Sequence, residues 1–266
     1  YTLRTLFPYT TLFRSILEVS QQRITGIEFS KSTILNRTVK IACENAYYKD
    51  TLNIKDFKID IKDKNLYVLV EGETVYIKLV KLPLVKKYLI NDMIKNELRY
   101  YYKDIDHIAF TYKLIKKDKF NMEVLVFCLN GNRLDILENS INNNINLKKV
   151  NLIQFCFKNY YSNQMNMRNY VLVFYYNYNL YFLICHNDEI VVNNIVSVKD
   201  LLLFKFSNVM NKFLEQYNDY AKLCEKIYYA NIEQLNIDEF KYLGLNHQIL
   251  GELKREELLK YIIVRG

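Results

Sequence analysis

The spacing of apolar and polar positions changes several times along this chain, and each change marks an element. Short runs rich in Ile, Val and Tyr occupy residues 24–29, 38–42, 57–61, 66–71 and 74–81. Between them lie polar clusters such as Lys62-Asp63-Lys64-Asn65 and Glu71-Gly72-Glu73. β-branched and aromatic side chains suit a pleated surface and such clusters end it, so a meandering sheet is predicted. After Pro83 the period lengthens. Val85, Leu89 and Met93 form one stripe and Ile90, Ile94 and Leu98 an adjacent one, which predicts an amphipathic helix starting just after the proline. Strands at 108–115 and 122–128 follow, around the basic turn Lys116-Lys117-Asp118-Lys119, and Asn130-Gly131-Asn132 introduces a helix over 134–141. Residues 147–157 read as a strand, and 160–168 as a polar, Asn-rich connector between two lobes.

The second half begins as the first did. Strands are predicted at 170–174, 180–186 and 189–198, joined at Asn177-Tyr178-Asn179 and Asn187-Asp188. A long helix then runs over 206–227, where Phe206, Val209, Met210, Phe213, Tyr217, Tyr220, Cys224 and Ile227 recur at three-and-four spacing. Such a stripe belongs against a sheet. A strand meander followed by a helix, once per half, is the signature of an internally duplicated fold.

Residues 1–15 stand apart. Thr5-Leu6-Phe7-Pro8-Tyr9-Thr10-Thr11-Leu12-Phe13-Arg14-Ser15 resembles the translation of a short-read sequencing adapter, and the chain does not begin with Met. The segment is therefore expected to be artefactual and is excluded from fold reasoning. The domain expectation is an N-terminal lobe over 16–165, including an inserted subdomain at about 83–145, and a shortened C-terminal lobe over 166–266.

Composition narrows the function classes. The net charge is +8, of which Arg4 and Arg14 belong to the excluded segment. The lysine pairs Lys86-Lys87, Lys116-Lys117 and Lys148-Lys149 are scattered in sequence with acids nearby, so a nucleic-acid-binding stripe is not expected. No apolar run approaches the length of a membrane helix. The five cysteines are far apart, lack any C-x-x-C and sit among apolar residues, as reduced, buried thiols do. None of the three histidines has a Cys or His at metal-ligand spacing, so no metal site is expected.

Several segments carry a family resemblance. Leu17-Glu18-Val19-Ser20-Gln21-Gln22-Arg23-Ile24-Thr25-Gly26-Ile27-Glu28-Phe29 lies along a first hairpin of the form I-D-I-G-S-S-S-I-K-A-V-E-L. Lys81-Leu82-Pro83 followed by Asn96-Glu97-Leu98-Arg99-Tyr100-Tyr101 resembles a strand ending in Leu-Pro and a helix ending in E-I-x-x-Y. Val171-Leu172-Val173-Phe174-Tyr175-Tyr176 lies along V-L-V-D-I-G, and Gly244-Leu245 along a final G-L. These patterns resemble the actin-like type IV pilus assembly PilM family, to which the cytoplasmic domain of the type II secretion protein GspL is related. The resemblance implies an α/β (α+β), ribonuclease H-like, two-lobed ASKHA fold with a small inserted subdomain.

It also implies where nucleotide chemistry has been lost. Glu18 stands at the family's metal-facing Asp, Ser20 at the phosphate-loop Gly and Thr25 at a Lys; Phe174 and Tyr176 replace the Asp and Gly of the second phosphate loop. Ile227-Tyr228-Tyr229-Ala230-Asn231 resembles the strand before the adenosine-contacting Gly-Gly turn, with no glycine following until Gly244. Phosphate cradles need glycine for close N–H approach, and Mg²⁺ needs carboxylates. ATP and Mg²⁺ are thus disfavoured, no catalytic residue is assigned, and the positions are vestigial.

The expected function is that of a non-catalytic cytoplasmic adaptor at the inner face of the cell membrane, holding a cytoplasmic peptide of an inner-membrane pilus or secretion protein and linking it to a motor ATPase. Leu82, Pro83, Leu98, Tyr100, Tyr101 and Tyr102 are the candidate peptide wall. An actin-like ATPase with divergent loops and a basic nucleic-acid-binding protein are the alternatives.

Overall fold

The computed structural model describes residues 13–20, 24–30, 65–72, 75–102, 105–106, 108–130, 146–199, 205–232 and 245–265. The strands expected at 38–42 and 57–61, and the helix expected at 134–141, lie outside these residues. In chain order the elements are β1 (Phe13–Val19), β2 (Ile24–Ser30), β3 (Asn65–Val70), β4 (Val75–Pro83), α1 (Ile90–Tyr101), β5 (Ile108–Lys117), β6 (Asn121–Asn130), β7 (Asn146–Leu152) and α2 (Ile153–Tyr160). After these come β8 (Tyr170–Tyr176), β9 (Asn179–His186), β10 (Glu189–Ser197), α3 (Phe206–Gln216), α4 (Asn218–Ala221), β11 (Lys226–Ala230), β12 (Asn246–Gly251) and α5 (Arg255–Arg265).

Two compact units divide the chain: residues 1–74, 131–156 and 254–266 form one, and 75–130 with 157–253 the other. In the first, β1 pairs antiparallel with β2 and parallel with β3, and β3 pairs parallel with β7, giving the order β2-β1-β3-β7. Strand β3 is interior to the sheet and every residue from Leu66 to Val70 is buried, which is why it reads as a continuous apolar run. The β1 ladder begins at Phe13, opposite Ser30. The ladder thus includes Phe13, Arg14 and Ser15, the last three residues of the segment set aside above.

The second unit holds a five-stranded sheet in the order β10-β9-β8-β11-β12. Strands β8, β9 and β10 are an antiparallel meander, and β8, β11 and β12 run parallel. Both sheets thus carry a hairpin on one side of the first strand and parallel strands on the other. Core residues Val171, Val173, Phe182, Ile184, Ile227 and Tyr229 pack with Met210 and Phe213 of α3. A separate three-stranded sheet, β4-β6-β5, is covered by α1, with Val80, Leu82, Ile94, Leu98, Val124 and Val126 between them.

Contact groups the small sheet with 157–253 and the closing helix with the first unit. Strand β4 lies along β10, and Lys113 of β5 donates to Glu189 of β10 at 2.6 Å.

Three readings are corrected, and two elements are new. The strand expected through residue 157 stops at Leu152; Ile153, Cys156 and Phe157, at helical spacing, are buried in α2 instead. Over five residues of mixed apolar character the two periods cannot be separated. The helix expected over 206–227 breaks at Tyr217 (φ −114°, ψ 34°), and Ile227 belongs to β11. The helix after Pro83 begins at Ile90, preceded by a 3-10 turn at Lys87–Leu89. Strand β12 and helix α5 were not foreseen, although Leu258, Leu259, Ile262 and Ile263 of α5 recur at helical spacing and are buried.

Candidate functional site

In the first unit, Glu18 sits on β1 opposite Thr25 of β2, and both are buried. The Glu18 carboxylate accepts from Arg255 at the start of α5: Nε donates to one oxygen at 3.2 Å and Nη2 to the other. A guanidinium in this two-pronged geometry neutralises a carboxylate and holds its orientation. The position that the family resemblance assigns to a metal-facing acid therefore faces a cation supplied by the chain itself. Glu256 and Glu257 follow in the first turn of α5, where acids favour the helix dipole. Ser20, just beyond β1, is half-buried.

In the second unit the substituted loop positions are filled by rings. Phe174 is fully buried between Phe157 (centroids 4.0 Å, interplanar 9°) and Tyr181 (4.6 Å, 4°). Tyr176 meets the edge of Phe157 at 5.8 Å. Beyond Tyr176 the chain turns back in two residues, Asn177 and Tyr178, at φ 46° and 60°. Positive φ at both central positions is the tight hairpin turn matched to strand twist. The Tyr178 carbonyl accepts from Val198 N–H at 2.7 Å, and Asn179 Nδ2 donates to the Asn177 carbonyl at 3.0 Å. This hairpin is short, and these bonds hold its turn.

Asn231 follows β11, where the resembling family has glycines, with φ 57°. Asparagine tolerates this left-handed conformation better than most residues. Its side chain also closes the β12 connection: Oδ1 accepts from Leu253 N–H at 2.6 Å, and Nδ2 donates to the Leu253 carbonyl at 3.1 Å. Tyr161 Oη donates to the Gly251 carbonyl of the same segment at 3.0 Å.

At the opposite end of β8, Lys158 is buried and pairs with Asp188 at 2.9 Å, and Tyr170 Oη donates to the same carboxylate at 2.9 Å. Burial pushes the Tyr170 phenol far up, with Cys185 and Asp188 adding to the shift. The group is a satisfied structural network tying α2 to the β9–β10 turn.

The six candidates for a peptide wall separate. Leu82 and Leu98 are 3% and 1% exposed and belong to the core beneath α1. Tyr102 is half-buried against that core. Pro83 and Tyr100 are exposed, Tyr100 at 84%. The Tyr101 side chain lies outside the described residues.

Arg255, Asn231, Phe157 and Tyr181 escaped sequence reasoning. Arg255 lies 237 residues from Glu18, and no local pattern links them. Asn231 was legible in part, as an Asn ending a strand where a turn was expected.

Solved structures of one fold are similar to this chain. A chain of the PilM-PilN type IV pilus biogenesis complex is 10% identical with a TM-score of 0.57, covering 91% of this chain and 88% of that one. The cytoplasmic domain of EpsL, an inner membrane component of the type II secretion system of Vibrio cholerae, is 9% identical at 0.57, covering 96% and 95%. A Bacteroides thetaiotaomicron protein with actin-like ATPase fold and unknown function is 8% identical at 0.56, covering 97% and 99%. No family model and no curated protein matches the sequence. The chain has the actin-like α/β fold. Among the described residues, no helix is long and apolar enough to cross a membrane.

Proposed function

We propose that this protein is a non-catalytic adaptor in a type IV pilus or type II secretion assembly, holding the cytoplasmic peptide of an inner-membrane partner and acting at the membrane's inner face. The observation that supports the non-catalytic reading is the Phe157–Phe174–Tyr181 stack, since the resemblance puts Phe174 at the second phosphate loop and its ring is packed between two others. The Arg255 clasp on Glu18 supports it from the other unit, because a carboxylate already neutralised has little to offer Mg²⁺. Neither position supplies the glycine backbone or free carboxylate that Mg-ATP needs. The pilus and secretion context rests on the shared fold and on the sequence patterns at 17–29, 81–83 and 96–101.

Calorimetric titration tests both parts. Titrating the chain with Mg-ATP and, separately, with the N-terminal cytoplasmic peptide of a pilus membrane protein encoded beside it should give heat with the peptide alone. Saturable binding of Mg-ATP would overturn the non-catalytic reading and favour an actin-like ATPase. Silence towards the peptide would remove the adaptor.

A further inference from the structure

Two of the lysine pairs that lie scattered in sequence, Lys86-Lys87 and Lys116-Lys117, meet at one end of the β4-β6-β5 sheet. Pro83 pairs with Asn121 at the last rung of the β4–β6 ladder, and Lys117 pairs with Met122 one rung in. Just beyond, Leu84 N–H donates to the Phe120 carbonyl at 2.7 Å, joining the β4–α1 connection to the β5–β6 turn. The Asp118 carboxylate builds that turn by accepting from Phe120 and Asn121 N–H at 2.9 and 2.7 Å. These bonds, with Lys116 nearby, hold its carboxyl below the usual range. The turn is thereby fixed and presents the Phe120 ring outward, 77% exposed. On the connection that Leu84 ties to this turn, Leu84 is 39% exposed, and Tyr88 and Leu89 of the following 3-10 turn are 69% and 37% exposed.

Around the tip stand Lys86, Lys87, Lys116, Lys117 and Lys119, all exposed. Segments 83–89 and 116–121 contain a single acid, Asp118, which the turn already uses. The nearest acid on β6, Glu123, pairs with Lys81 at 3.7 Å. Exposed aromatic and aliphatic side chains ringed by an excess of positive charge match an anionic lipid surface: apolar groups enter the headgroup boundary while lysine stems extend along them to the phosphates.

We propose that this tip docks the small sheet onto an anionic bilayer, with Phe120, Tyr88, Leu84 and Leu89 entering the interface and the five lysines facing headgroup phosphates. The exposed apolar side chains decide for lipid over nucleic acid, since a bilayer takes Phe120 and Tyr88 into its interface while its headgroups meet the lysines. The proposal is independent of peptide binding and uses none of its residues except the neighbouring Pro83.

Co-sedimentation of the full chain with phosphatidylcholine vesicles, with and without phosphatidylglycerol, tests it. Retention is expected only on the anionic vesicles, and is expected to fall at high salt. The triple variant Lys86→Glu, Lys116→Glu, Lys117→Glu should bind at least about tenfold more weakly, and Phe120→Ser several-fold more weakly, with thermal midpoints unchanged because every altered side chain is exposed. No retention on anionic vesicles, equal retention on neutral ones, or wild-type binding by the triple variant would overturn the proposal. So would preferential capture by duplex DNA, which would reassign the basic tip to nucleic acid. The peptide titration contains no lipid, so each reading fails by its own experiment.

Discussion

Glu18 and Arg255 show what one substituted residue requires of another. A carboxylate buried to 2% exposure on an interior strand is costly unless a partner compensates it, and Arg255 does so with two nitrogens. Replacing Arg255 with Ala strands that charge. The expected loss is about 2–3 kcal/mol, towards the lower end for a buried pair, because the arginine side chain is 34% exposed. The double variant Glu18→Gln, Arg255→Met should recover most of the loss. Urea denaturation of the three chains checks this; a neutral Arg255→Ala would mean the pair contributes nothing. The sequence marked Glu18 as a carboxylate without its family partner, but could not name its replacement, since pairing across the chain is settled only when β1 and α5 pack within one unit.

Elements here are closed by asparagine where glycine would serve. Asn177, Asn187 and Asn231 adopt φ of 46°, 51° and 57°, and the first two were legible as turns because their polar clusters interrupt β-rich runs. Asn231 carries the further task of bonding Leu253 on both its backbone groups. Asn231→Gly keeps the backbone conformation and loses those bonds, at about 1 kcal/mol each. Asn231→Ala also strains the left-handed position by about another 1–2 kcal/mol. The denaturation midpoints should therefore fall in the order wild type, Gly, Ala. If Ala equals Gly, the turn relaxes and the strain argument fails. The misread elements have a common cause. At residues 153–157 and 217–227 apolar side chains satisfy strand and helix spacing alike, and backbone breaks such as Tyr217 carry no proline or glycine to announce them.

Across the whole molecule, burial sets the response to alkaline pH. It pushes Cys128 and Cys224 up to about 11 and Cys156 and Cys185 up to about 12, from an ordinary 9.0. Folded-state values above the unfolded value mean that this contribution is fully present below pH 9.0 and is lost as pH rises through the folded values. The urea midpoint should therefore decline above pH 9, and Cys185→Ala should decline less steeply after allowing for its lower starting stability. An identical slope would show that other groups govern the alkaline limb. The buried thiols themselves were readable in sequence from their apolar neighbours. So were most strands and the hairpin turns, because period, turn chemistry and β-propensity are local properties that survive without knowledge of neighbours; the actin-like class was legible only through the family resemblance. Tertiary structure alone decided that Leu82 and Leu98 are core, that Arg255 answers Glu18, that Phe174 stacks between Phe157 and Tyr181, and that two distant lysine pairs share one end of a sheet. Each of these depends on which surfaces meet after the chain has folded, and distance along the sequence does not encode that.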